Sequence, residues 1–135
     1  MALGKRKVVQ QPLFVNTSDL IVRAHPYYEA VNRVLASHHF DPFAEELCAA
    51  FYDDGKNGGR PGLAPGVYFR CLLVGYFEGI DSERGLEWRC ADSLSLREFL
   101  RLGTTEAVPD HSWLSRTRSR LPLEVHEAVF TCQLC

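Results

Sequence analysis

The chain has no apolar run long enough to span a membrane, since the longest one, Val67 to Phe77, is broken by Arg70. The basic residues near its start, in MALGKRKVVQQPLFV, are not followed by an apolar run of signal-peptide length, so no export is expected. An excess of basic charge is also missing. The 15 Lys and Arg face 17 Asp and Glu for a net charge of -2, so overall charge does not mark a nucleic-acid binder and any such case rests on clustering. No stretch alternates convincingly as a strand, and there is no internal repeat or low-complexity tract, which leaves an all-α fold. The five cysteines are odd in number. Cys48, Cys71 and Cys90 sit inside apolar helical patterns, where a thiol behaves as a small hydrophobe, and this fits a reducing cytoplasm.

Catalytic and metal-binding constellations are equally scarce. Cys132-x-x-Cys135 has knuckle spacing, but a closed zinc site takes about four ligands and no second pair lies at a matching interval. His38-His39-x-Asp41 falls at a helix junction where Asp41 is expected to act as a cap. Glu45-Glu46 and Asp53-Asp54 are sequence neighbours and so point to different sides rather than towards one reacting centre. Gly55-Lys56-Asn57-Gly58-Gly59 lacks both the preceding strand and the Lys-Ser/Thr ending of a phosphate loop, and reads as a linker. No catalytic residue, metal ligand or cofactor is assigned to this chain.

What is present, over 135 residues with 46% hydrophobic content, suffices for one modest domain. Residues 1–22 show no sustained period and are expected to be a flexible arm. A helical hairpin over 25–53 follows, opened by His25-Pro26 and again by Asp41-Pro42, with Tyr27, Val31, Val34 and Leu35 on one stripe and Phe43, Leu47, Ala50 and Phe51 on the other. Residues 54–64 form a Gly-rich linker. Next comes a block over 65–121. Its first helix, Pro65 to about Glu78, is apolar nearly all round and should be central. A helix capped by Ser82 or Asp81 runs through Ala91 with Leu86 and Cys90 inward. The turn Asp92-Ser93-Leu94 leads to a capping box, Ser95-Leu96-Arg97-Glu98, and a helix with Leu96, Phe99 and Leu100 inward that ends at Gly103. Asp110 caps His111 to Leu121, with Leu114, Thr117 and Leu121 inward and Pro122 as the stop. A last helix over 122–135 runs to the end of the chain.

Two elements could meet nucleic acid. The helices Ser82–Ala91 and Ser95–Leu102 are joined by a tight turn, as in a helix-turn-helix, and place Arg97 and Arg101 on the exposed side of the second. The alternative recognition helix is His111–Leu121, whose His111, Ser112, Ser115, Arg116, Ser119 and Arg120 bring hydroxyls and guanidinium forks suited to phosphate oxygens and guanine edges. Turn length favours the first and charge the second. Lys5, Arg6 and Lys7 are a candidate phosphate-contacting arm. The competing reading of all these cations is a solvated face with stems laid over apolar neighbours. Trp88 and Trp113 are expected to close the hydrophobic cluster rather than to stack on bases.

Three pieces carry a family resemblance: Arg60-Pro61-Gly62 with Pro65 leading into the central helix, Gly75-Tyr76-Phe77 through Asp81-Ser82-Glu83-Arg84, and Pro109-Asp110-His111-Ser112 with the arginine helix behind it. Over about Asp41 to Val129 the chain resembles the N-terminal domain of bacterial insertion-sequence transposases of the DDE class. The resemblance implies a helical region that binds double-stranded DNA at the element's terminal repeats, followed by an RNase-H-like domain whose acids hold a divalent metal. That catalytic domain has no counterpart in these residues, and the chain ends inside an expected helix at Phe130-Thr131-Cys132-Gln133-Leu134-Cys135. The expectation is a truncated transposase without catalytic activity of its own. An alternative expectation is an inhibitory or interaction module that docks on full-length transposase or on itself through exposed Tyr27-Tyr28; a non-functional remnant is the third.

Overall fold

A computed structural model of the chain describes residues 2–5, 23–52, 63–103 and 106–134, and the regular structure among them is helical. Residues 1 and 6–22 of the expected arm and residues 54–62 of the expected linker lie outside the described residues. The helices are α1 (Pro26–Ser37), α2 (Phe40–Cys48), α3 (Pro65–Glu78), α4 (Glu83–Ala91), α5 (Leu94–Phe99), α6 (His111–Arg120) and α7 (Leu123–Leu134), with a 3-10 turn, Ala49–Phe51, after α2.

Helix α3 is the axis of the core. Its residues Gly66 to Cys71 and Leu73 to Gly75 are buried, as an all-round apolar sequence requires. It stops at Gly79, whose φ of 68° is the left-handed value a side chain resists, and the Ile80 amide closes the end on the Gly75 carbonyl at 2.9 Å. Helices α2 and α4 pack against it, α7 lies on α2, and α1 bridges α2 and α5. At the α3–α4 contact the buried thiols of Cys71 and Cys90 meet. The hydrogen bond with the Cys90 thiol, together with burial, pushes the free Cys71 thiol well above its usual range.

The residue that broke the apolar run proves to be the core's polar centre. Arg70 is 1% exposed. Its Nη1 and Nη2 donate to Asp41 Oδ1 and Oδ2 at 2.7 and 3.0 Å, its Nε donates to Asn32 Oδ1 at 2.9 Å, and its guanidinium lies 5.4 Å from the Phe40 ring centre. Asn32 Nδ2 in turn donates to the Phe99 carbonyl at 3.0 Å, so one network ties α1, α2, α3 and α5. A buried charge is tolerable only when so paired. The Arg70 hydrogen bonds hold the Asp41 carboxyl below its ordinary range, against the opposing effect of burial.

This pairing overrides local sequence signals. Asp41 does not cap α2: His39 turns left-handed at φ 53°, the helix starts at Phe40, and Asp41 in the first turn is drawn to Arg70 instead. A Cβ on Gly66 would sit 2.0 Å from Asp41 Oδ1, so only glycine lets the carboxylate cross α3 there. The buried stripe of α2 is accordingly Phe40, Ala44 and Cys48, with Phe43 and Leu47 half-buried and Ala50 and Phe51 exposed. On α1 the stripe also shifts by one: Tyr28 and Leu35 are buried, whereas Tyr27 and Val34 are exposed. The 3.6-residue period allows either overlapping set, and Tyr28 is chosen by its contacts, its ring 4.7 Å from Phe99 and its hydroxyl donating to Glu78 Oε2 at 2.5 Å. Burial, and then that carboxylate, raise the Tyr28 pKa.

Helix α7 closes the other side. Val125 and Val129 are buried, and His126 bridges to α3 by Nε2 against Tyr68 Oη at 2.7 Å. The Pro122 carbonyl, 3.0 Å from Nδ1, can only accept, so Nδ1 carries a proton and donates to it.

Candidate nucleic-acid interface

Helix α6 begins where expected. Asp110 Oδ1 accepts from the Trp113 amide at 2.7 Å, and Leu114, Thr117 and Leu121 are buried as the spacing predicts. The opposite face then follows from 100° per residue. Ser112, Ser115, Arg116, Ser119 and Arg120, at i, i+3, i+4, i+7 and i+8, are all exposed and form one stripe over about 12 Å of helix.

The flank of α6 turned to α4 is neutralised. Arg118 Nη1 pairs with Glu83 Oε1 at 2.6 Å, and Glu87 Oε2 receives both His111 Nδ1 at 2.8 Å and the His111 amide at 3.3 Å. His111 is therefore half-buried and serves to seat the helix. On the other flank the Arg120 guanidinium covers the Tyr52 ring at 4.9 Å, and burial raises the Tyr52 pKa. Arg116 makes no ion pair among the described residues and stands among the three serines. These neighbours were missed in the sequence. Glu83 and Glu87, one turn apart on α4, were a readable signal; Tyr52, some sixty residues from α6, offered none.

Helix α5 is different from its expected form. Ser93, not Ser95, caps it by accepting from the Leu96 amide at 3.2 Å, so the helix starts at Leu94 and the expected capping box is not formed. It also ends early. Arg101, not Gly103, takes the left-handed position (φ 61°), with the Leu102 amide closing on the Arg97 carbonyl at 3.0 Å. Leu96, Phe99 and Leu100 must all be buried, and the six-residue helix leaves no second exposed turn. Arg97 is half-buried, its Nη1 3.5 Å from the Glu106 carbonyl where the following loop folds back, so it does not lie on an open face. Arg101 is exposed but outside the helix, with its charge close enough to lower the Asp41 pKa further. Replacing it with glycine relieves a left-handed side-chain conformation, and Arg101→Gly is expected to raise stability by about 1 kcal/mol in urea unfolding.

Lys5 is exposed in a segment without regular structure, and Arg6 and Lys7 lie outside the described residues. Trp113 packs as expected, edge-on to Tyr68 at 6.1 Å, but Trp88 does not: it is 74% exposed on α4. Tyr28, expected to be exposed, is 5% exposed. Among the described residues no group of three His, Cys, Asp or Glu could hold a metal ion, and no helix is long and apolar enough to cross a membrane.

No curated protein and no solved structure matches the chain. A family model does, over residues 16–120, which takes in every helix from α1 to α6 and the stripe just described. The chain belongs to the transposase domain family DUF772.

Proposed function

We propose that this domain is the DNA-binding module of a transposase, and that it grips double-stranded DNA at the element's terminal repeats with the outer face of α6. The observation that carries this reading is the segregation of charge on that helix. His111 and Arg118 are spent on α4, while Ser112, Ser115, Arg116 and Ser119 form an exposed strip of donors with no acid on the helix. Hydroxyls and a guanidinium at that spacing fit phosphate oxygens along one groove edge, with Arg116 able to fork onto a guanine. Arg120 contributes at the rim, held in place by Tyr52. The α5 alternative is weaker because Arg97 is occupied and Arg101 stands beyond the helix end. Lys5, Arg6 and Lys7 would add phosphate contacts.

Fluorescence anisotropy on a duplex carrying the element's end tests this. Binding should fall with salt, and Arg116→Ala should reduce the slope of log K against log salt by about 0.9, with the Arg116→Ala/Arg120→Ala pair losing about twice that. Unchanged affinity and slope in the double variant would remove α6 from the interface.

A further inference from the structure

Trp88, expected in the hydrophobic cluster, is the one large aromatic on α4 and is left outside the core at 74% exposed. Its position on the helix is set by the contacts of its neighbours. Leu86 and Cys90 point into the core, and Glu83 and Glu87 point to α6 through Arg118 and His111. Going on round α4 in the same sense, at 100° per residue, the small Ala91 comes next, and then Arg84 and Trp88. On α6 the order away from the core repeats: buried Leu114 and Thr117, the α4-facing His111 and Arg118, then the open serines and Arg116. The outer faces of the two helices thus lie on the same side of the plane through α4 and α6, opposite the core. Arg84 is exposed and makes no ion pair among the described residues, and the acids between the two faces are already matched by Arg118 and His111.

We infer that Arg84 and Trp88 of α4 extend the DNA-contacting surface beyond α6, with Arg84 on a phosphate and the Trp88 indole packed on the neighbouring sugar–phosphate backbone, its N–H donating to phosphate. This inference rests on the α6 reading. Continuity with that face, the unmatched guanidinium and the flat amphipathic ring select a duplex backbone as occupant: the ring offers one donor and an apolar body, and the arginine offers a fork for phosphate oxygens. A helix beside the recognition helix that touches the backbone fixes register without reading bases.

The test uses the full chain with an end-bearing duplex and a scrambled duplex. Trp88 emission should be quenched by either duplex, and the change should vanish in Trp88→Phe, which leaves Trp113 as the reporter. Trp88→Ala should weaken binding to both duplexes alike, by about tenfold, and Arg84→Ala should lower the salt slope by about 0.9. Both side chains are exposed, so unchanged circular dichroism and urea midpoints are expected to accompany these losses. If Arg116→Ala impairs binding while Trp88→Ala, Arg84→Ala and the emission leave it untouched, the α4 inference is overturned and the α6 reading stands. If no variant, Arg116→Ala included, alters DNA binding, both are overturned. Should Trp88→Ala instead dissolve a dimer seen by light scattering without changing DNA affinity, the residue is a protein contact and the inference is overturned.

Discussion

Asp41→Ala is expected to destabilise the domain by about 3 kcal/mol, measured as a lower urea midpoint with unchanged m-value. The variant leaves Arg70 charged, 1% exposed and without its carboxylate, with only Asn32 and the Phe40 ring to face among the described residues. Breaking a buried pair from one side costs about 3–5 kcal/mol. The lower end applies because the Asp41 side chain is 35% exposed and water shares its charge in the native state. For a domain whose whole stability is on the order of 5–15 kcal/mol, that is a large fraction. Removing both partners, as Asp41→Ala/Arg70→Met, should cost less than the sum of the single changes, because no orphaned charge remains. The pH dependence has a definite sign. The folded state holds the Asp41 carboxyl below its ordinary value, so the pair's stabilisation is complete above about pH 4 and is lost as pH falls through the lower, folded value. In Asp41→Asn the urea midpoint should fall less over that acid range; an equally steep decline would show that other carboxylates govern it.

The second large effect is expected at Phe69. The ring is 0% exposed and meets Phe40 at 6.4 Å, Tyr68 at 5.1 Å, His126 at 5.8 Å and Phe130 at 5.8 Å between centroids. Phe69→Ala is expected to cost about 3–5 kcal/mol through lost burial and the cavity left behind. Because two of those four partners are on α7, the amides of Val125 to Val129 should lose exchange protection more than those of α4. Equal loss in both helices would mean that α7 is not held by this contact but unfolds only with the whole domain.

Several parts of this arrangement could be read directly from residue order. The all-α class, the central place of α3, the Ser82 and Asp110 caps, and the inward stripes of α4 and α6 depend on spacing and local hydrogen bonding, which a linear sequence displays. The open stripe of α6 was legible for the same reason, since five exposed positions at i, i+3, i+4, i+7 and i+8 follow once Leu114, Thr117 and Leu121 are inward. What was not legible involved partners distant in the chain. Arg70 looked like an interruption in an apolar run, and nothing nearby said that Asp41 and Asn32, 29 and 38 residues away, would surround it. The same carboxylate then abandoned its cap and obliged position 66 to be glycine.

By itself, then, the sequence determined that the chain folds into helices, which faces α4 and α6 bury, and that one helix would collect arginines without acids. Tertiary structure alone decided how those charges were used. It turned Glu83 and Glu87 onto Arg118 and His111, left Arg97 half-buried beside Glu106, kept Arg116 open, and put Trp88 outside. The reason is physical: periodicity is a property of neighbours in sequence, whereas the fate of a charge depends on which opposite charge, ring or water lies within a few ångströms, and that is set only when the helices pack.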